Sequence, residues 1–185
     1  TDAVTAAAQI LSYNAAGLTG VTAKNHLAVN AQIRKQLLAD SNAVDNLNSV
    51  DELQGKVTAA NAALTYLTST VQDETTTDSL SESDQLAAYA DAGILNVSAD
   101  NLLAVNAQLR LQTTAGNKDS VSEIQAVVGL ADAAIASIAS TTALLTATDT
   151  VTAATQIEAY SAAGITGIDE DNLLAVNAQV RAATN

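Results

Sequence analysis

One block of residues is written three times in this chain, and nothing else in it constrains the fold as strongly. Gln9-Ile10-x-x-Tyr13-x-Ala15-Ala16-Gly17 runs on to Asn25-x-Leu27-Ala28-Val29-Asn30-Ala31-Gln32-Ile33-Arg34. The block returns from Gln85 to Arg110 and again from Gln156 to Arg181, with Tyr13, Tyr89 and Tyr160 spaced 76 and then 71 residues apart. A catalytic centre is needed once, whereas a part repeated along a chain serves construction. The 185 residues therefore divide into repeat 1 (1–76), repeat 2 (77–147) and a partial repeat 3 (148–185) truncated after two helices.

Each copy reads as helical. Hydrophobic residues make up 48% of the chain, enough for a core, and they are almost all aliphatic. Pro, the strongest helix breaker, is absent. The first helix is predicted from about Thr5 to Ala16, with Ile10 and Tyr13 one turn apart on its inner face. It stops at Gly17-Leu18, and Gly93-Ile94 and Gly164-Ile165 repeat that stop. Gly supplies the positive φ of a helix end, and the apolar residue beyond it folds over the last turn.

The second helix begins after Thr22, Ser98 or Asp169, three different members of the N-cap class. Val29, Ile33, Leu37, Leu27 and His26 fall on one side of its wheel, while Asn25 and Gln32 fall toward the other. The third helix opens with a capping box, Ser49-x-x-Glu52 or Ser120-x-x-Glu123. Behind it runs a narrow apolar seam: Val50, Leu53, Val57, Ala60, Leu64, Leu67 and Val71, or Val121, Ile124, Val128, Ala131, Ile135 and Ile138. The two periods differ only between Arg and Ser (Arg34 to Ser49, Arg110 to Ser120), whereas Val50 to Tyr89 and Val121 to Tyr160 keep one spacing. The third helix and the first helix of the next copy thus hold a fixed register. The fold expected is all-α, tandem three-helix-bundle repeats of about eight helices.

Several function classes are excluded or weakened by composition. Twenty acidic against seven basic residues give a net charge of −13, which repels nucleic acid and anionic membranes. No run approaches the roughly 20 apolar residues of a membrane span, and no signal peptide is read. No Cys is present, so neither disulfides nor thiolate chemistry arise. Thr1-Asp2-Ala3-Val4-Thr5 matches Thr148-Asp149-Thr150-Val151-Thr152, so the chain opens at a repeat junction and reads as a segment of a longer repetitive protein.

Each candidate site also has a structural reading. His26 stands where the other copies have Leu102 and Leu173, which makes it a helix-surface or core-edge residue. With no second His and no Cys, neither a zinc set nor a catalytic triad is available. Asp169-Glu170-Asp171 near Gly164 and Gly167 raises calcium, but Thr22-Ala23-Lys24 and Ser98-Ala99-Asp100 lack that charge. Acidic residues in a first turn also complement the helix dipole, and capping is the preferred reading. Gly17-x-x-Gly20 lacks the strand and basic partner of a phosphate loop, and Gly20 becomes Asn96 in the second copy.

The residues singled out are structural. Tyr13, Tyr89 and Tyr160 are read as core wedges with the hydroxyl at the rim. Asn30, Asn106 and Asn177 lie inside the apolar arc, where an amide must be hydrogen-bonded. They are expected to act as locks onto a loop backbone, the alternative being a wet rim position. Gly17, Gly93 and Gly164 end the first helices. Arg34, Arg110 and Arg181 either pair with carboxylates of a neighbouring helix or stay solvated.

The order Tyr13…Gly17-Leu18, Asn25-x-Leu27…Asn30-Ala31, Ser49-Val50-x-Glu52-Leu53…Val57 resembles the bacterial GA-type module, a small three-helix bundle of which some members bind serum albumin. The wider pattern is similar to Ala-rich helical repeats of very large bacterial surface or RTX-type adhesins. The units here are longer and differently connected, so albumin binding is not carried over. The resemblance implies a non-enzymatic spacer in an exported or cell-surface protein, without cofactor or metal. Its partners would be other domains of the same long chain, with no nucleic acid and no membrane insertion. The alternatives are a helical module recognising a host or matrix protein, and a segment of a surface lattice.

Overall fold

Local chemistry fixes both ends of every first helix. Thr5, Ser81 and Thr152 are the N-caps of α1 (Ala6–Ala15), α4 (Glu82–Asp91) and α7 (Ala153–Ala162), each accepting a bond from the amide three residues on. At the other end Gly17, Gly93 and Gly164 adopt φ of +88°, +75° and +79°. Leu18, Ile94 and Ile165 then donate their amides to the Tyr13, Tyr89 and Tyr160 carbonyls, a six-to-one closure. In a computed structural model of the chain, residues 5–39, 47–69, 81–143 and 152–184 are described. Val71, the Thr1–Val4 and Thr148–Val151 matches, and much of the connection between Arg34 and Ser49 lie outside them.

The protein is all-α: the described residues form eight α-helices and no strand. The remaining helices are α2 (His26–Ala39), α3 (Val50–Ser69), α5 (Leu102–Leu111), α6 (Val121–Ala143) and α8 (Leu173–Thr184). Both capping boxes form. The Glu52 and Glu123 amides donate to Ser49 and Ser120 Oγ, while the carboxylates accept the Ser49 and Ser120 amides at 3.0 and 3.1 Å. The Ser49 hydroxyl, with the Ser49 and Asn48 amides, holds the Glu52 carboxyl below its ordinary value. A lowered folded-state value stabilises above the unfolded value and is lost as pH falls through the folded one. Acid titration of helicity should therefore show a component below the usual carboxylate range that Glu52→Gln removes; identical acid profiles would refute the box as its source.

Packing follows the register read from the spacing. The third helices bridge successive copies: α3 packs on α2 and α4, and α6 packs on α5, α7 and α8. One connected core results, from Leu18 and Val29 through Leu67, Tyr89, Ile94 and Val105 to Ile124, Val128 and Ala163. The helices of repeat 3 lean on α6 of the copy before.

Two sequence expectations do not hold in the fold. Asn25 and Gln32, placed toward the polar side of the wheel, are both buried. The wheel allows for one apolar partner, whereas α2 is flanked by α1 and α3 and also by α4 of the next copy. Further, Val121–Ser140 is long and apolar enough to cross a membrane by length and composition, although no run was expected to approach that. Ala enrichment is the reason. In the fold its Val121, Ile124, Val128 and Ala131 join the core, and Asp132 accepts a bond from Asn101 at 2.7 Å.

Candidate functional site

The feature that recurs in all three copies is a Gln–Asn–Tyr triad joining the first helix to the second. Gln and Tyr lie four residues apart and so share a face of the first helix. The Asn reaches between them from the second helix. The Tyr89 hydroxyl donates to Asn106 Oδ1 at 2.7 Å, and Asn106 Nδ2 donates to Gln85 Oε1 at 2.8 Å. Tyr160, Asn177 and Gln156 repeat this at 2.7 Å for both bonds. In the first copy Tyr13 donates to Asn30, which donates to Gln9 at 2.8 Å. Each Asn uses acceptor and donor at once, so neither half of the amide is left bare in an apolar setting.

This arrangement differs from the sequence reading in two respects. The Asn locks a tyrosine and a glutamine side chain, where a loop backbone was expected. The Tyr89 and Tyr160 hydroxyls are enclosed with their rings, where a rim position was expected. Gln9, Gln85 and Gln156 were missed as members, although their recurrence four residues before each Tyr was visible.

Burial raises the Tyr13 and Tyr160 phenols above the ordinary value, with Arg34 and Arg181 partly offsetting it. Lys24 pairs with Asp119 in the loop ahead of α6, and Lys35 of α2 pairs with Asp91 of α4. A group whose folded pKa is raised stabilises fully below its unfolded value, about 10 for tyrosine, and loses that contribution as pH rises through the folded value. The phenolate absorbance that Tyr13→Phe and Tyr160→Phe remove should therefore appear above the free-tyrosine range and together with loss of helix. Ionisation with an ordinary midpoint in a fully helical protein would contradict the triad.

A second amide set fixes the loop between first and second helices. Asn25, Asn101 and Asn172 accept the amides of Thr22, Ser98 and Asp169 at 2.7, 2.9 and 3.1 Å. Their Nδ2 groups donate to the carbonyls of Gly20, Asn96 and Gly167. Those three residues have φ of +78°, +63° and +78°, which explains why Gly gives way only to Asn there. Asp169 accepts the Asp171 and Asn172 amides, a capping role. His26 is buried where Leu102 and Leu173 are buried, and its Nδ1–H donates to the Ala23 carbonyl at 3.0 Å.

A third set joins successive copies. Gln32 donates to the Asp91 carbonyl at 2.7 Å and Gln108 to the Ala162 carbonyl at 2.6 Å. Beside these bonds a Cβ on Gly93 would stand 3.0 Å from Ala31 Cβ, and one on Gly164 only 2.8 Å from Ala107 Cβ. Glycine here serves the junction as well as the helix stop. Two grooves flank these contacts: one of 720 Å³ along Ala31, Lys35, Leu38 and Leu95, and one of 660 Å³ along Leu103, Ile135, Ile138, Ile165 and Val180.

Chemically, the recurring polar side chains hold backbone and one another. Among the described residues no three His, Asp or Glu side chains gather around a point where a metal could sit. Comparison of the chain with known protein families, curated proteins and solved structures finds no match in any of the three.

Proposed function

We propose that this chain is a non-enzymatic spacer: tandem three-helix units, within a large exported bacterial adhesin or cell-surface protein, that stack through nearest-neighbour contacts. The observation that carries the reading is the junction made twice with the same parts, Gln32 and Gly93 between the first two copies, Gln108 and Gly164 between the next. A junction that repeats with the same residues can be extended without new chemistry, which is what a stalk requires. The charge of −13 keeps such an array from self-adhesion. Small-angle scattering of the 185-residue chain should give an elongated monomer whose profile is independent of concentration. Steady growth with concentration would instead favour a surface lattice. The coding sequence on either side should carry an export signal or a surface anchor, and a cytosolic enzyme there would end the proposal.

One observation favours a second reading, a module that binds a host or matrix protein. Leu27, Leu103 and Leu174 occupy the same position in each copy and are all exposed. An apolar side chain presented at regular intervals suits a partner helix or strand laid along the array. Capture of one defined host protein, lost on changing these three Leu to Ser, would move the assignment to that class.

A further inference from the structure

Two of the three copies carry a third helix seated on the loop between their first and second helices, by the same contacts each time. Gln54 on α3 clamps the backbone of Thr19: its Oε1 accepts the amide at 2.9 Å and its Nε2 donates to the carbonyl at 3.1 Å. Gln125 on α6 clamps Leu95 in the same way, at 2.8 and 3.0 Å. Seven residues on, Asn61 and Asp132 accept from Asn25 and Asn101 at 2.6 and 2.7 Å. Between these polar points lie Val57 and Ala60, or Val128 and Ala131, all buried. The seat thus reads Val/Leu-or-Ile/Gln at one end and Val/Ala/Asn-or-Asp at the other, along one helix face.

The third copy has the seat with no described helix on it. Thr166 stands where Thr19 and Leu95 stand, and no described side chain clamps its backbone. Asn172 Nδ2 donates to the Gly167 carbonyl and, among the described residues, to no helix side chain such as Asn61 or Asp132. Ile165 is 44% exposed, whereas Leu18 and Ile94 at the same position are 2% and 4% exposed under α3 and α6. Val176 is half-buried where Val29 and Val105 are fully covered. The 660 Å³ groove lies along the same face. Its walls Ile138, Ile165 and Val180 correspond to Leu67, Ile94 and Leu109, which are buried in the core cluster that holds Val121, Ile124 and Val128.

We infer that the face of α7 and α8 that no other described helix covers is a docking seat for an amphipathic helix of the α3 type, carrying Val-x-x-Leu-Gln-x-x-Val-x-x-Ala-Asn, supplied by another unit of this repeat kind. A folded second copy does not supply it, because its Gln54 and Gln125 already hold their own loops. Charge selects between the two helix types. In the junction already made, Asp119 ahead of α6 pairs with Lys24 of the copy before. At the open seat the place of Lys24 belongs to Asp100, so a helix with Asp at the Asp119 position is repelled, while α3, with Asn48 there, is not.

The inference rests on the array reading for the kind of helix supplied, yet the two fail separately, since absent binding leaves the scattering result untouched. The probe is a fluorescein-labelled peptide of residues 47–69, titrated into the intact chain and followed by anisotropy. Saturable binding is expected, weakened at least about tenfold by Gln54→Ala in the peptide or by Ile165→Asp in the protein. Ile165 is exposed, so that variant should keep its helicity. Asn48→Lys in the peptide should bind more tightly than Asn48→Asp. Hydrogen exchange at the Thr166 amide should slow when the peptide binds. No saturable binding, equal affinity for the Ile165→Asp chain, or self-association that the peptide does not displace would each overturn the seat.

Discussion

Asn106→Ala is expected to destabilise the chain by about 2–4 kcal/mol, because it strips two buried partners at once. The Tyr89 hydroxyl loses its acceptor and Gln85 Oε1 loses the donor that now sits 2.8 Å away. Neither water nor another side chain replaces them easily, since Asn106 and Tyr89 are 3% and 1% exposed. The matching change in the first copy, Asn30→Ala, leaves a half-buried site that solvent can enter, and should cost about 1 kcal/mol or less. Urea midpoints followed by helicity make the comparison. A loss at Asn106 no larger than at Asn30 would show that the amide is a passenger.

The second large effect is at the glycines that end α4 and α7. Gly17, Gly93 and Gly164 share a positive φ, which costs a residue with a side chain about 1–2 kcal/mol. Only the latter two are also crossed by a neighbouring helix. A Cβ on Gly164 would meet Ala107 Cβ at 2.8 Å and the Leu103 carbonyl at 3.3 Å, and one on Gly93 would meet Ala31 Cβ and the Leu27 carbonyl. On Gly17 the nearest atom is Val50 Cγ1, at 3.7 Å. Overpacking of this sort adds about 1–3 kcal/mol, so Gly93→Ala and Gly164→Ala should each exceed Gly17→Ala by that margin. Hydrogen exchange should also speed up along α7 in Gly164→Ala, where the bond from Gln108 to Ala162 is strained open. Equal losses at all three glycines would mean that the junction has no steric component.

Much of the helical framework was legible because it is written in short-range chemistry. The stop at Gly17, the capping boxes at Ser49 and Ser120 and the caps at Thr22 and Asp169 each involve residues within five positions of one another. Recurrence added a second signal: it marked Asn30, Asn106 and Asn177 as bonded before their partners were known. The partners themselves were assigned to a loop because the wheel gives a direction for Asn and no depth for Tyr. Gln32 was placed toward the polar side of its wheel for a related cause. A single helix in isolation has one inside, while α2 and α5 each have two.

The sequence alone settled an all-α chain of about eight helices, the stops of the first helices and the starts of the third, since capping and glycine stops act within a turn or two of chain; the second helices open at His26, Leu102 and Leu173, four residues beyond Thr22, Ser98 and Asp169. It also determined, through the constant spacing from Val50 to Tyr89 and from Val121 to Tyr160, that third and first helices travel together. Which polar side chains are spent inside the protein, and which faces stay open among the described residues, was settled by packing between helices. Those outcomes depend on groups 54 to 59 residues apart meeting at under 3 Å, as Gln108 meets Ala162 and Gln32 meets Asp91. Burial is a property of the surroundings, so identical words in three copies acquire three environments: Leu18 and Ile94 lie beneath a helix, and Ile165 does not.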